Sequence, residues 1–196
     1  MDTTDKNGES WMFSRQKFLK TLVLSGVALQ LPWISACSKE EDKIENFKPF
    51  SLHQYKTVRS LQDILFPDDG NGPGARQINA TPYLVWVLND SNLDPEENQY
   101  IIDRINEFDT FTIEEQGEVF YELSEGNQEH IVALAHELPW GEQFFSRLLT
   151  LIFEALLLDP VYGSNPNEIG WEWLSHNPGF PRPSKEIQYP QILNRL

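Results

Sequence analysis

Apolar residues recur at three- and four-residue intervals along most of the chain, and most of the periodic runs are bounded by recognisable helix signals. Ser51 and Gln54 form a capping-box pair, and Leu52, Tyr55, Val58, Leu61 and Leu65 follow on one face until Pro67 ends the run. Thr81-Pro82 reads as a cap and first-position proline ahead of Tyr83 to Leu88. Those apolar residues would also suit a buried strand; the cap chemistry points to a helix. Asp94-Pro95-Glu96-Glu97 supplies a cap, a proline and two acids at the positive end of a helix dipole, with Ile101, Ile102, Ile105 and Phe108 on the face that follows. Thr112 and Glu115 repeat the capping box and predict a new helix leading to Val119 and Phe120. Ser124 opens the next, which carries Ile131, Val132, Leu134, Ala135 and Leu138 up to Pro139.

Gly141 to Leu158 is the most apolar stretch, with Phe144, Phe145, Leu148, Leu149, Leu151, Ile152, Phe153, Ala155, Leu156 and Leu157 covering every side of a helix. Arg147 and Glu154 interrupt it, and the uninterrupted run falls short of the ~20 residues a membrane span needs, so a central core helix is expected. Glu154 must then reach a rim, find a donor such as Thr150 one turn back, or hold its proton. From Asp159 the chain is rich in Gly, Pro, Asn and Trp without periodicity, which predicts ordered loops with at most a short helical turn near Trp171 to Leu174. The expected fold is therefore all-α: one compact domain of about five to six helices over residues 50–196, with long C-terminal loops.

What precedes that domain reads as an address. A polar segment with Lys6, Arg15, Lys17 and Lys20 leads into apolar Thr21 to Leu31, a length suited to a signal h-region. Ile34-Ser35-Ala36-Cys37 resembles a lipobox, at which a bacterial lipoprotein precursor is acylated on the cysteine and cut just before it. The alternative for Cys37 is a buried free thiol. Ser14-Arg15-Gln16-Lys17-Phe18-Leu19-Lys20 is similar to the twin-arginine signal S-R-R-x-F-L-K, with Gln16 in place of the second arginine, so twin-arginine and general secretion both stay open. Residues 1–37 are thus expected to be a signal peptide ending in a lipobox, and residues 38–49 a charged tether whose Lys39-Glu40-Glu41-Asp42 resembles a surface-export tag or is a plain solvated linker. The expected location is outside the cytoplasm, periplasmic or at the cell surface, anchored in a bacterial membrane through a lipid on Cys37.

Charge and composition narrow the function. Fifteen Lys and Arg against 30 Asp and Glu give a formal charge of −15, which leaves no electrostatic reason to seek phosphate backbones, so nucleic acid is a poor partner. Four basic and three acidic residues lie before Cys37, so the remainder carries −16 and the acidity belongs to the domain itself. A single cysteine excludes an internal disulfide, a multi-cysteine zinc site, an iron–sulfur cluster and a Cys-x-x-Cys-His haem attachment.

Candidate chemistry is sparse. His53, His130, His136 and His176 lack a paired-ligand spacing, and His130 and His136 fall on different faces of a helix. No G-x-S-x-G, P-loop or dinucleotide fingerprint is present. Asp68, Asp69 and Asn71 place oxygens close together, but the ligand ladder of a calcium loop is missing and a turn of φ-permissive residues accounts for them. A hydrolase built on Asp68, Asp69 or His176 would need these groups to converge in one pocket. No catalytic, cofactor-binding or metal site is expected in this chain.

Two segments carry a family resemblance. Leu65-Phe66-Pro67-Asp68-Asp69-Gly70-Asn71-Gly72-Pro73-Gly74-Ala75 resembles the "L-F-P-x-D … P-G-A" segment of the gluconate 2-dehydrogenase subunit 3 family. Asp159-Pro160-Val161-Tyr162-Gly163-Ser164-Asn165, then Gly170-Trp171 and Asn177-Pro178-Gly179, resembles that family's "D-P-x-Y-G-G-N … G-W … P-G" ending, with Ser164 at the place of a second glycine. The resemblance covers about Leu61 to Pro181. It implies a small helical subunit without a cofactor of its own, accompanying a large FAD-dependent dehydrogenase of the glucose-methanol-choline type, often with a cytochrome c subunit receiving the electrons. It also implies that the small subunit bears the export signal for the pair.

On that reading the loops would hold the partner, with Pro67, Asp68, Pro73, Gly74, Tyr162, Gly163, Asn165, Trp171, Trp173 and Phe180 as candidate interface residues. Tyr162, Trp171, Trp173 and Phe180 are of the types that anchor interfaces, and equally of the types that pin loops to their own core. A stand-alone, membrane-anchored binding or scaffold lipoprotein is the alternative function.

Overall fold

The computed structural model describes residues 47–195, and these form an all-α domain without strands among the described residues. The expected signal segment 1–37 with Cys37 and the Ser14 to Lys20 pattern, and the expected tether up to residue 46, lie outside the described residues. Six helices follow in order: α1 Leu52–Leu65, α2 Ala80–Leu88, α3 Pro95–Gln116, α4 Glu125–His136, α5 Pro139–Leu157 and α6 Ile169–Leu174. Short 3-10 turns occupy Phe120–Glu122, Pro160–Tyr162, Pro166–Glu168 and Gln191–Arg195.

The capping box at α1 is formed as the sequence predicts. The Gln54 amide donates to Ser51 Oγ at 3.2 Å, and the Ser51 amide donates to Gln54 Oε1 at 2.8 Å. At α3, Asp94 accepts from the Glu96 amide at 2.9 Å and Pro95 takes the first helical position.

Two expected boundaries are corrected. Thr112 and Glu115 do not start a helix, because α3 continues through them to Gln116 and stops where Gly117 adopts the left-handed conformation (φ 73°). Thr112 is buried and its hydroxyl donates back to the Phe108 carbonyl at 2.8 Å; the apolar face of α3 keeps packing through this turn, so the local cap signal loses. Val119 is extended and Phe120 begins a 3-10 turn. Thr81 likewise does not cap α2. The helix begins at Ala80 behind Asn79 (φ 59°), and the Thr81 hydroxyl donates instead to Gln62 Oε1 of α1 at 2.7 Å, inside the core.

α5 is the central helix and packs on α1, α2, α3, α4 and α6. It begins at Pro139, two residues before the expected start. Its Phe144, Phe145, Leu148, Leu151, Ile152, Ala155 and Leu156 are buried. Phe108 of α3 sits edge-on to Phe120 and Phe145, with ring centroids 4.8 and 5.8 Å apart. No described helix is long and apolar enough to cross a membrane. Glu154 reaches the rim of α5, where it accepts from the Tyr83 hydroxyl at 2.9 Å; Thr150 donates to the Ser146 carbonyl instead. Burial, and then the hydrogen bond to Glu154, raise the Tyr83 hydroxyl pKa.

The chain enters and leaves the bundle at the same place. Phe47 packs on Tyr55 with centroids 4.9 Å apart, and the Lys48 carbonyl accepts from the side chain of Asn89, just after α2. The C-terminal segment returns to the adjoining loop, where the Tyr189 hydroxyl bonds Asp90 and accepts from Asn92 Nδ2 at 3.3 Å. Tyr189 also packs edge-on to Trp86 at 5.9 Å, and Trp86 lies 6.2 Å from Tyr162.

Candidate functional site

The two loop segments singled out in the sequence close on one another at one end of the bundle. Phe66 ends α1 and turns the chain into the Pro67 to Ala75 loop, which is closed by the Ala75 amide donating to the Phe66 carbonyl at 2.8 Å. Gln77 steadies the loop from within, accepting from the Gly74 amide at 2.7 Å and donating to Asp68 Oδ2 at 2.8 Å. Asp68 and Asp69 accept the amides of Gly70 and Asn71 at 3.3 and 3.0 Å, the Asx turns their positions favour.

The second segment is knitted through Asn165 to the turn that follows the first. Its amide donates to the Ile78 carbonyl at 3.0 Å, its Oδ1 accepts from the Gly170 amide at 2.7 Å, and its Nδ2 donates to the Leu158 carbonyl at 3.2 Å. Asn79 reciprocates, donating to the Gly163 carbonyl at 3.0 Å. Gly170 is required here because a Cβ would run into the Leu156 carbonyl and its Cδ1. Trp171 is 4% exposed, and its indole donates to the Leu157 carbonyl at 2.7 Å. Ser164 is buried and keeps negative φ, so the position does not need glycine for its backbone.

Of the candidate interface residues, Pro73, Gly74, Asn165 and Trp171 are buried and Tyr162 is half-buried, its hydroxyl accepting from the Tyr189 amide at 3.1 Å. Pro67, Asp68, Gly163, Trp173 and Phe180 stay exposed. Trp173 is 42% exposed and packs over Gly72 and edge-on to Phe66 at 6.2 Å; Phe153 of α5 also meets Phe66 edge-on, at 6.0 Å. Phe153 and Leu157 on the outer side of α5 are exposed, so that helix is not buried all round.

Two shallow depressions flank Glu172. One is lined by Asp68, Asn71, Gly72, Gln77 and Trp173, the other by Glu168, Trp171, His176, Phe180 and Arg182. Arg182 of the following segment, which sequence reasoning missed, clamps the second. It donates to Asp159 through Nε and Nη2 at 2.8 and 3.0 Å, to Glu168 through Nη1 at 2.9 Å, and lies 4.5 Å above the Trp171 ring. Its hydrogen bonds hold the Asp159 carboxyl below its ordinary value and raise the guanidinium's own pKa.

A separate polar cluster joins α1 to α3. Asp109 is buried, accepts from the Thr57 hydroxyl at 2.8 Å and pairs with His53 Nε2 at 2.9 Å, while His53 Nδ1 lies 3.4 Å from the Tyr121 hydroxyl. Burial raises the Asp109 carboxyl, opposed by Thr57 and His53. The fold thereby places His53 against a buried carboxylate. His53 and Asp109 lie away from Asp68, Asp69 and His176, and no group of three or more His, Cys, Asp or Glu side chains among the described residues is arranged to hold a metal ion.

Fold and surface together define a small all-helical domain whose distinguishing feature is an aromatic, carboxylate-edged end built from two distant loops. A family model described as gluconate 2-dehydrogenase subunit 3 matches residues 52–179, and the chain belongs to that family. The family is thus that of a subunit of a dehydrogenase. No curated protein and no solved structure matches the chain significantly.

Proposed function

We propose that this chain is the small, non-catalytic accessory subunit of an exported, FAD-dependent dehydrogenase complex of the glucose-methanol-choline type. It assists export and folding of the flavoprotein and tethers it to a membrane through a lipid on Cys37. The flavin belongs to the large subunit, and a cytochrome c subunit takes its electrons. One observation carries the reading: the two segments that resemble the family close on each other and leave Trp173 and Phe180 exposed at that end, residues of the types that protein interfaces use.

Role follows from shape. The bundle supplies a rigid platform through α5, and the Asn165 and Arg182 bonds fix the loops before any partner arrives, so little ordering entropy is lost on docking. The test is purification of the tagged full-length chain from native membranes. A flavin-absorbing large chain in stoichiometric company supports the reading; a clean monomer, with the dehydrogenase elsewhere, refutes it. Cys37→Ala is expected to move the chain from the membrane pellet to the soluble fraction, and retention in the pellet would remove the lipid anchor from the proposal.

A further inference from the structure

We infer that residues 175–182 form a prebuilt tongue whose tip, Phe180, plugs an apolar, base-edged socket on the large flavoprotein subunit. This rests on the proposed subunit role and assigns it a contact. Phe180 lies at the edge of the family match, which ends at residue 179.

Both stems of the tongue are fastened. On the incoming side the Ser175 amide donates to the Glu172 carbonyl at 3.1 Å and the His176 amide to the Trp171 carbonyl at 2.8 Å. At the bend the Gly179 amide donates to Asn177 Oδ1 at 3.0 Å, with Gly179 at φ 79°. On the outgoing side Arg182 grips Asp159 and Glu168 and stacks on the Trp171 ring, which the α5 carbonyl of Leu157 holds in turn.

Between these anchors Phe180 is 87% exposed, the most exposed large apolar side chain among the described residues. A benzyl group held in water on a fixed stem contributes nothing to the free domain. Buried in a partner it becomes an aromatic anchor of the kind that dominates interface energetics, with its ordering cost already met by folding.

The surroundings specify the occupant. Glu168 and Glu172 border the tongue, Asp68 lies across the neighbouring depression, and Arg182 is engaged by two carboxylates. Such an edge repels an anionic bilayer and attracts a protein surface bearing Lys or Arg, which makes a protein socket the occupant rather than lipid. Arg182 is a positioning residue, holding the stem without entering the socket.

The test co-expresses the full-length chain with the flavin-bearing large chain and measures binding kinetics of the purified pair. Phe180→Ala is expected to raise Kd about tenfold or more, chiefly through faster dissociation, with Phe180→Leu recovering part of the loss. Arg182→Gln is expected to slow association instead, because the tongue must then be ordered during docking. Ile113→Ala, which trims an exposed apolar side chain on α3, is expected to change nothing. Phe180→Ala binding within about twofold of the wild type overturns the socket while leaving the subunit role intact. So does a loss confined to binding of phosphatidylglycerol vesicles. A wild-type chain that holds no flavoprotein overturns the subunit role itself and the socket with it.

Discussion

The backbone amide of Asn165 donates to the carbonyl of Ile78 at 3.0 Å, so a buried asparagine in the left-handed conformation (φ 48°) fastens the end of α5 to the turn before α2. Its side chain adds the bonds to Leu158 and Gly170. Asn165→Ala strands the Gly170 amide and leaves a Cβ-bearing residue at positive φ without its local bonds. A loss of about 2–4 kcal/mol is expected in urea denaturation. Asn165→Gly relieves the backbone and should cost less than alanine; the reverse order would show that the φ requirement has been misjudged.

Gly170→Ala places a methyl against the Leu156 carbonyl. Since the obstacle is backbone in the central helix, α6 must shift, at a cost of roughly 1–3 kcal/mol. The melting temperature of the purified domain reads this directly, and an unchanged value would mean that α6 floats rather than docks.

Trp171 and Trp173 are separated by one residue and play different parts. Trp171→Ala empties a buried site and drops the Leu157 bond, for an expected ~3–5 kcal/mol. Trp173→Ala is expected to cost under about 1 kcal/mol while weakening capture of the dehydrogenase subunit. Equal losses of stability in the two variants would remove Trp173 from the docking surface.

Acid should loosen the C-terminal segment before the bundle. The Arg182 hydrogen bonds lower the Asp159 pKa, and the Tyr189 hydrogen bond lowers that of Asp90. A carboxylate lowered on folding stabilises above its unfolded value, near ~3.9, and that contribution is lost as pH falls through the lower folded value. Hydrogen exchange of residues 183–193 is therefore expected to accelerate below about pH 4, ahead of the α5 amides. Uniform acceleration along the chain would contradict the assignment.

Asp109 has the opposite sign. Burial raises its carboxyl pKa, so its favourable contribution is complete below the unfolded value and is lost as pH rises through the raised one. Asp109→Asn, which keeps an acceptor for Thr57, should flatten the pH dependence of the melting temperature across that interval. A slope identical to the wild type would place the titration elsewhere.

Where a signal is local and packing agrees with it, the fold was legible in advance. The Ser51–Gln54 box, the Asp94-Pro95 start, and the apolar density of α5 all correspond to observed elements. Thr112 and Glu115 carry an equally good local signal and are overruled, because Phe108 and Thr112 pack on one continuous buried face that an interruption would break. Gly117 was the better clue, being the residue type that stops a helix.

The site was legible as two segments but not as a joint. Asn79, Asn165 and Arg182 make their bonds to partners far along the chain, and no periodicity or spacing encodes such a meeting. Glu154 illustrates the same limit: its donor is Tyr83, on another helix, and not Thr150 one turn away.

The fastening of both ends of the described chain near Asn89 has a mechanical consequence. The Lys48 carbonyl is held at the C-terminal end of α2, and Tyr189 straps the adjoining loop. Asn79, which reaches the loop surface through Gly163, stands at the other end of that nine-residue helix, whose axis is roughly 13 Å long. The two fastenings and the loop surface thus occupy opposite poles of one short, stiff rod, so a load applied at the first pole is carried along the helix axis before it reaches the second.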